Sequence, residues 1–256
     1  MRERMRTGVA GLDDMLRGGF LPQSAILVRG APGVGKTTLA LQFLIHGAVE
    51  ENEPGLLVTF EEFPESIYRD ARSVGWDLRD LEQRGLVRTL FTSPQVFLAS
   101  LESPVSPLSE LLRTYEIKRV VLDSMTHLQK IAGEAEELRQ VYSQVVNALK
   151  REDITAILLS ETANTTALAL ADPAWQADSS LMFVVDGVVL LGFVEVDSLM
   201  CRALTVLKLR GSDHAKEIRR FEIGRGGITI QDRFQGHEGI LTGTPRMLPG
   251  LRPISG

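Results

Sequence analysis

The sequence predicts an α/β fold: a mostly parallel sheet with helices on both faces and an antiparallel or mixed edge. Three features carry that reading. Short apolar, β-branched runs alternate with segments of helical period, a glycine-rich turn joins the first run to a helix, and the last runs follow one another with little helix between them.

Ala25 to Arg29 reads as the first strand, followed by the glycine-rich turn and an apolar-periodic helix from about Gly35 to Val49. Leu56 to Phe60 is the second strand. A helix then opens at Pro64, where the missing N–H of proline costs nothing, and runs to Val74. Val87 to Phe91 reads as a strand, Pro107 to Tyr115 as a helix and Arg119 to Leu122 as a buried strand. Leu138, Val141, Tyr142, Val145, Val146 and Leu149 keep amphipathic spacing across a helix from Ala135 to Arg151. Thr155 to Leu159, Val184 to Phe193 and Ala203 to Leu209 complete the expected strands. From Phe234 the pattern stops, and Gly and Pro make up 8 of the last 23 residues. Residues 1–233 are therefore expected to form one domain. Residues 234–256 are expected to be a mobile tail, or a segment packed on a neighbouring subunit.

Composition narrows the function. With 44% hydrophobic and 24% charged residues the chain is globular rather than disordered or fibrous. Its 28 basic residues against 33 acidic give a net charge of −5, which lacks the field of a dedicated nucleic-acid binder. Cys201 is the one cysteine, so no internal disulfide or thiolate metal site forms. The opening MRERMRTGVAGLDD has no apolar run behind it to act as a signal peptide, and no stretch approaches the roughly 18 apolar residues of a membrane span. A cytoplasmic oligomer or enzyme, off the membrane, is expected.

The strongest motif is GAPGVGKT, immediately after a strand and opening a helix. It satisfies G-x-x-x-x-G-K-[ST] in the context that gives the pattern meaning. Gly30, Ala31, Pro32, Gly33, Val34, Gly35, Lys36, Thr37 and Thr38 are expected to hold a triphosphate. The glycines let successive N–H groups point inward at a helix N-terminus, Lys36 reaches the β- and γ-phosphates, and the Thr37 hydroxyl ligates Mg2+. Asp123 ends the run Val120-Val121-Leu122, a strand tip where α/β sheets place ligand chemistry, and is expected to partner the same metal. Glu61 and Glu62 follow the second strand. Hydrolysis needs a group to position water, and strand alternation is expected to aim one glutamate at the γ-phosphate and leave the other in support, with Glu61 the favoured base. Ser160 and Glu161 end another strand, where Ser160 either senses the γ-phosphate or caps the next segment. Lys208 and Arg210 share one strand face, which spacing alone reads as solvated. His46, Trp76, Trp175 and Cys201 read as packing or surface, and His127 and His214 lack a metal-ligand neighbourhood.

Together these residues resemble the RecA superfamily, in its KaiC-like branch. The resemblance runs from TGVAGLDDMLRGGF (Thr7 to Phe20) through Phe60 to Glu62, Val120 to Ser124 and LKLRGSDH (Leu207 to His214), covering most of residues 1–230. It implies a RecA-like P-loop NTPase core that binds ATP and Mg2+. It implies that the twin glutamates include the catalytic base, and that the K-x-R-G stretch reaches the nucleotide of the next protomer. Lys208 and Arg210 would then act in trans, with His214 beside them, in a ring oligomer, most simply a hexamer. Clock members of the family fuse two copies of the domain, and this sequence holds one. Aligned on Asp186, the hydroxyl positions of their autokinase half read Met182 and Phe183, with Ser179 and Ser180 shifted, so autophosphorylation at that place is not expected.

The resulting expectation is a Mg2+-dependent ATPase working at subunit interfaces, in signalling or regulation, with a further protein partner. The competing expectations are a recombination-accessory ATPase on DNA, which the acidic composition disfavours, a nucleotide-gated scaffold with little net hydrolysis, and an autokinase using another hydroxyl.

Overall fold

A computed structural model describes residues 4–103, 105–132, 135–162, 180–234, 237–240 and 246–247. In chain order the elements are α1 (Leu12–Met15), β1 (Ala25–Gly30), α2 (Lys36–Glu50), β2 (Gly55–Thr59), α3 (Pro64–Ser73), α4 (Leu78–Gln83), β3 (Val87–Phe91), α5 (Pro94–Glu102) and α6 (Pro107–Thr114). There follow β4 (Arg119–Asp123), α7 (Thr126–Gln129), α8 (Ala135–Arg151), β5 (Thr155–Glu161), β6 (Gly187–Val196), β7 (Leu199–Leu209), β8 (Ile218–Gly224), β9 (Gly227–Arg233), β10 (His237–Glu238) and β11 (Arg246–Met247).

Nine strands form one sheet in the order β3-β2-β4-β5-β1-β6-β7-β8-β9. The six from β3 to β6 pair in parallel, and β7, β8 and β9 extend the sheet antiparallel, giving the predicted mixed edge. Alternation along the central strands divides the core in two. Ile26, Val28, Leu57, Val121, Ile157 and Leu159 point to the face covered by α2 to α4, where Phe20 and Phe43 meet edge to face. Leu27, Leu56, Val58, Val120, Leu122 and Leu158 point to the face covered by α5, α6 and α8. Burial on both faces is why these strands read as continuous apolar runs.

A buried arginine and a half-buried aspartate serve structural ends within this framework. Arg119 donates to the carbonyls of Arg6 and Phe43 and to Glu53, tying the leading segment to the sheet. Gly47 lies directly over its guanidinium, where a Cβ would collide with Nε. Asp186 accepts from the Ala25 amide at 2.8 Å and from Lys150 at 2.6 Å.

Several boundaries depart from the sequence reading. The strand expected from Val184 begins at Gly187, because residues 180–184 are helical and Leu181 and Val185 drop into the core there. β7 starts at Leu199, not Ala203, since Asp197 and Ser198 close a hairpin at φ 51° and 62°. The sequence reading also lacked α4, α5, β8 and β9. β8, IRRFEIG, is a charged stretch in which Phe221 alone is buried, and it gives no apolar run. In the segment expected to be a tail, β10 pairs with β11, Ile240 packs in the core and Phe234 packs against it, while residues 235–236, 241–245 and 248–256, like Trp175 and Ser179, lie outside the described residues.

Candidate active site

β1, β2, β4 and β5 are mutually parallel neighbours, so their C-terminal tips end side by side, and a cleft of about 340 Å³ opens there. The turn after β1 forms its floor. Gly33 (φ 75°) and Gly35 (φ 116°) take the left-handed angles that the turn needs, and a Cβ on Gly35 would stand 2.7 Å from Ile223 Cδ1. Gly35 caps α2 without any side-chain acceptor, leaving the first amides of the helix directed at the cleft. Pro32, Gly33, Gly35, Lys36, Thr37 and Thr38 line it, whereas Ala31 and Val34 are buried beneath and Gly30 packs against β6.

Lys36 is 7% exposed at its side chain, donates to the Ala31 carbonyl at 3.1 Å and stands 3.8 Å from Glu161. Burial pushes its ammonium below the ordinary lysine value, against the fields of Glu161 and Asp123. Beside it, the Thr37 hydroxyl donates to Asp123 Oδ2 at 2.8 Å. Burial raises the Asp123 carboxyl, opposed by that hydrogen bond and by Lys36. Thr37 and Asp123 thus present two hard oxygens at one point, beside a phosphate-shaped turn. That donor set fits a divalent cation whose remaining ligands are phosphate oxygens and water.

Glu61 and Glu62 both line the cleft and both are exposed. The alternation expected of them does not operate, because β2 ends at Thr59 and Phe60 to Glu62 run as a bend. Thr59 Oγ1 secures that bend by donating to the Glu62 carbonyl at 3.0 Å. Burial, then the charges of Asp123, Asp70 and Glu61, raise the Glu62 carboxyl.

The tip of β5 distributes its residues differently from the expectation. Ser160 is fully buried and does not line the cleft, whereas Glu161, one residue on, does. Alternation, which failed at β2, holds here because β5 continues through Glu161. The sequence reading also passed over His127, which lines the cleft with Nε2 2.9 Å from Glu61 Oε2. Its place four residues after Asp123, one helical turn beyond a strand tip, is the sequence signal for that position.

Lys208, Arg210 and His214 stand apart from this cleft within the chain. Lys208 Nζ donates to the carbonyls of Met182 and Val185, both at 2.7 Å, and Arg210 donates to that of Phe183 at 2.7 Å. Burial, then the neighbouring Arg210, lower the Lys208 ammonium. His214 is buried with Lys216 beside its ring, and burial followed by that charge lowers it.

A phosphate-sized turn at the head of α2, a buried lysine and an acid at the tip of the adjoining parallel strands define a P-loop nucleoside-triphosphate-binding protein. Comparison with known proteins narrows the class. A family model described as "ATPase: KaiC" matches residues 5–235, and the chain belongs to that family. The chain is 36% identical over 243 residues to the circadian clock oscillator protein KaiC of Thermostichus vulcanus, covering 94% of this chain and 45% of that one. To its counterpart in Parathermosynechococcus lividus it is 34% identical over 242 residues, covering 94% and 43%. To the circadian clock protein KaiC3 of a Synechocystis strain it is 32% identical over 242 residues, covering 94% and 46%. The chain spans less than half the length of these relatives. Among the described residues no helix is long and apolar enough to cross a membrane.

Proposed function

We propose that this chain binds ATP with Mg2+ and hydrolyses it at the interfaces of a ring of identical subunits, most simply a hexamer. The reading is supported above all by one arrangement, the buried Lys36 beside the Thr37–Asp123 pair with two glutamates across the cleft. The α2 amides and Lys36 hold the β- and γ-phosphates, while Thr37 and Asp123 hold the metal, which when bound neutralises phosphate charge. Glu61 accepts a proton from the attacking water as its oxygen bonds to the γ-phosphorus and the bond to the bridging oxygen breaks, releasing ADP and phosphate. Glu62 supports it. Lys208 and Arg210 act on the nucleotide of the neighbouring subunit, which accords with their position away from their own cleft. The role is regulatory or signalling, in the cytoplasm, with a further protein partner.

The test is subunit mixing. Glu61→Gln and Arg210→Ala proteins, each inactive alone, are expected to regain ATPase activity when combined, and light scattering should show assembly that depends on ATP. Strict monomers that turn over ATP, or the absence of rescue, would refute the shared site. Salt-dependent binding to single-stranded DNA would favour the recombination-accessory reading instead.

A further inference from the structure

Glu61 is an awkward place for a base. Its side chain is 73% exposed on a bend beyond the end of β2, and an exposed glutamate samples several rotamers, few of which address a bound γ-phosphate. His127 is its opposite. Its side chain is 17% exposed, with the ring packed edge to face on Phe60 at 6.4 Å and 61°. The short helix that carries it is fastened to both neighbouring strand tips. The Met125 amide donates to Leu159 O at 2.7 Å, the His127 amide to Ser124 O at 3.2 Å, and the Glu161 amide to Thr126 Oγ1 at 3.0 Å. Those strands also deliver Asp123 and Glu161, so the imidazole shares a frame with the phosphate and metal residues.

We propose that His127 is a positioning residue for Glu61: its Nε2–H, 2.9 Å from Glu61 Oε2, fixes one carboxylate oxygen and leaves the other to receive the proton of the attacking water. The donor must be Nε2, because a carboxylate only accepts. Phe60 enforces the ring orientation from the residue adjacent to Glu61, so the same bend supplies both the base and the wall that aims its holder. The inference rests on the reading of Glu61 as the base.

Steady-state ATPase kinetics on the full chain test it, with nucleotide affinity and a melting curve recorded for each variant. His127→Ala is expected to lower kcat about tenfold, as a misplaced catalytic group does, with KM for ATP within about twofold of wild type. His127→Gln, whose amide N–H reaches the same carboxylate, should recover most of the rate, and His127→Asn, too short to reach it, should not. Should the alanine variant fail to fold, the Gln and Asn pair carries the same comparison. Glu61→Gln is expected to lose about a hundredfold or more, and His127→Ala added to it should cost nothing further. A wild-type kcat in His127→Ala alongside a crippled Glu61→Gln overturns the positioning role alone, as does a full additive loss in the double variant. Wild-type turnover by Glu61→Gln overturns the base assignment and the positioning role together.

Discussion

Replacing Lys36 by methionine separates what the charge costs the fold from what it contributes to the ligand. Methionine keeps the length of the stem and deletes an ammonium that is 7% exposed and held below its ordinary value by burial. Removing a poorly solvated charge gains several kcal/mol in principle. Here part of that is returned, because Asp123 loses a counter-charge, but the ammonium stays below its ordinary value with the fields of Glu161 and Asp123 already acting on it, so the balance favours the variant. Without nucleotide the variant is therefore expected to melt above wild type. With ATP and Mg2+ at about a hundred times Kd, wild type gains about 2.7 kcal/mol, or roughly 5–11 °C, and the variant gains little. The order of stability therefore inverts on adding nucleotide, which scanning calorimetry with and without ATP reads directly. A ligand-free variant melting below wild type, or an equal ATP shift in both proteins, would refute the account of Lys36.

Further outcomes follow from the same geometry. Thr37→Val should leave metal-free nucleotide affinity near wild type while abolishing the tightening produced by Mg2+, measured by titration with and without chelator. Burial raises the Asp123 carboxyl, so the folded state holds that proton more tightly than the unfolded chain. In chelator, wild-type stability is thus expected to fall as pH rises from the unfolded value through the folded one, and the fall should be shallower in Asp123→Asn, which keeps only the contribution of the raised Glu62, in denaturant titrations. Gly35→Ala must fit a Cβ 2.7 Å from Ile223 at a φ of 116°, and should lose ATP affinity by equilibrium titration while retaining a cooperative melt. Leu158→Ala, at a fully buried position in the central sheet, should cost about 2–5 kcal/mol in urea denaturation with an unchanged m-value.

How legible each part was in the sequence depends on what sets it. The parallel core was readable because β1, β4 and β5 are buried on both faces and carry unbroken apolar runs. The phosphate turn was readable because its glycines answer a local backbone requirement. β8 and β9 were not, since only a minority of their residues are buried and the pairing partner, rather than composition, decides that they extend. In the cleft, Lys36, Thr37 and Asp123 follow from motif and strand tip. The place of Glu62 depended on where β2 stops, and one residue of difference in β5 puts Glu161 in the cleft rather than Ser160. The position of His127 after Asp123 places it near the strand tips, but its pairing with Glu61 arises through tertiary folding across 66 positions, and no local pattern names that partner.

The cleft draws its walls from four strand ends spread between Gly30 and Glu161, none of which is complete alone. A proteolytic fragment or half-folded intermediate of this chain is therefore blind to ATP, and retention on immobilised nucleotide becomes an assay of finished folding: a destabilised variant sheds that retention in one cooperative step.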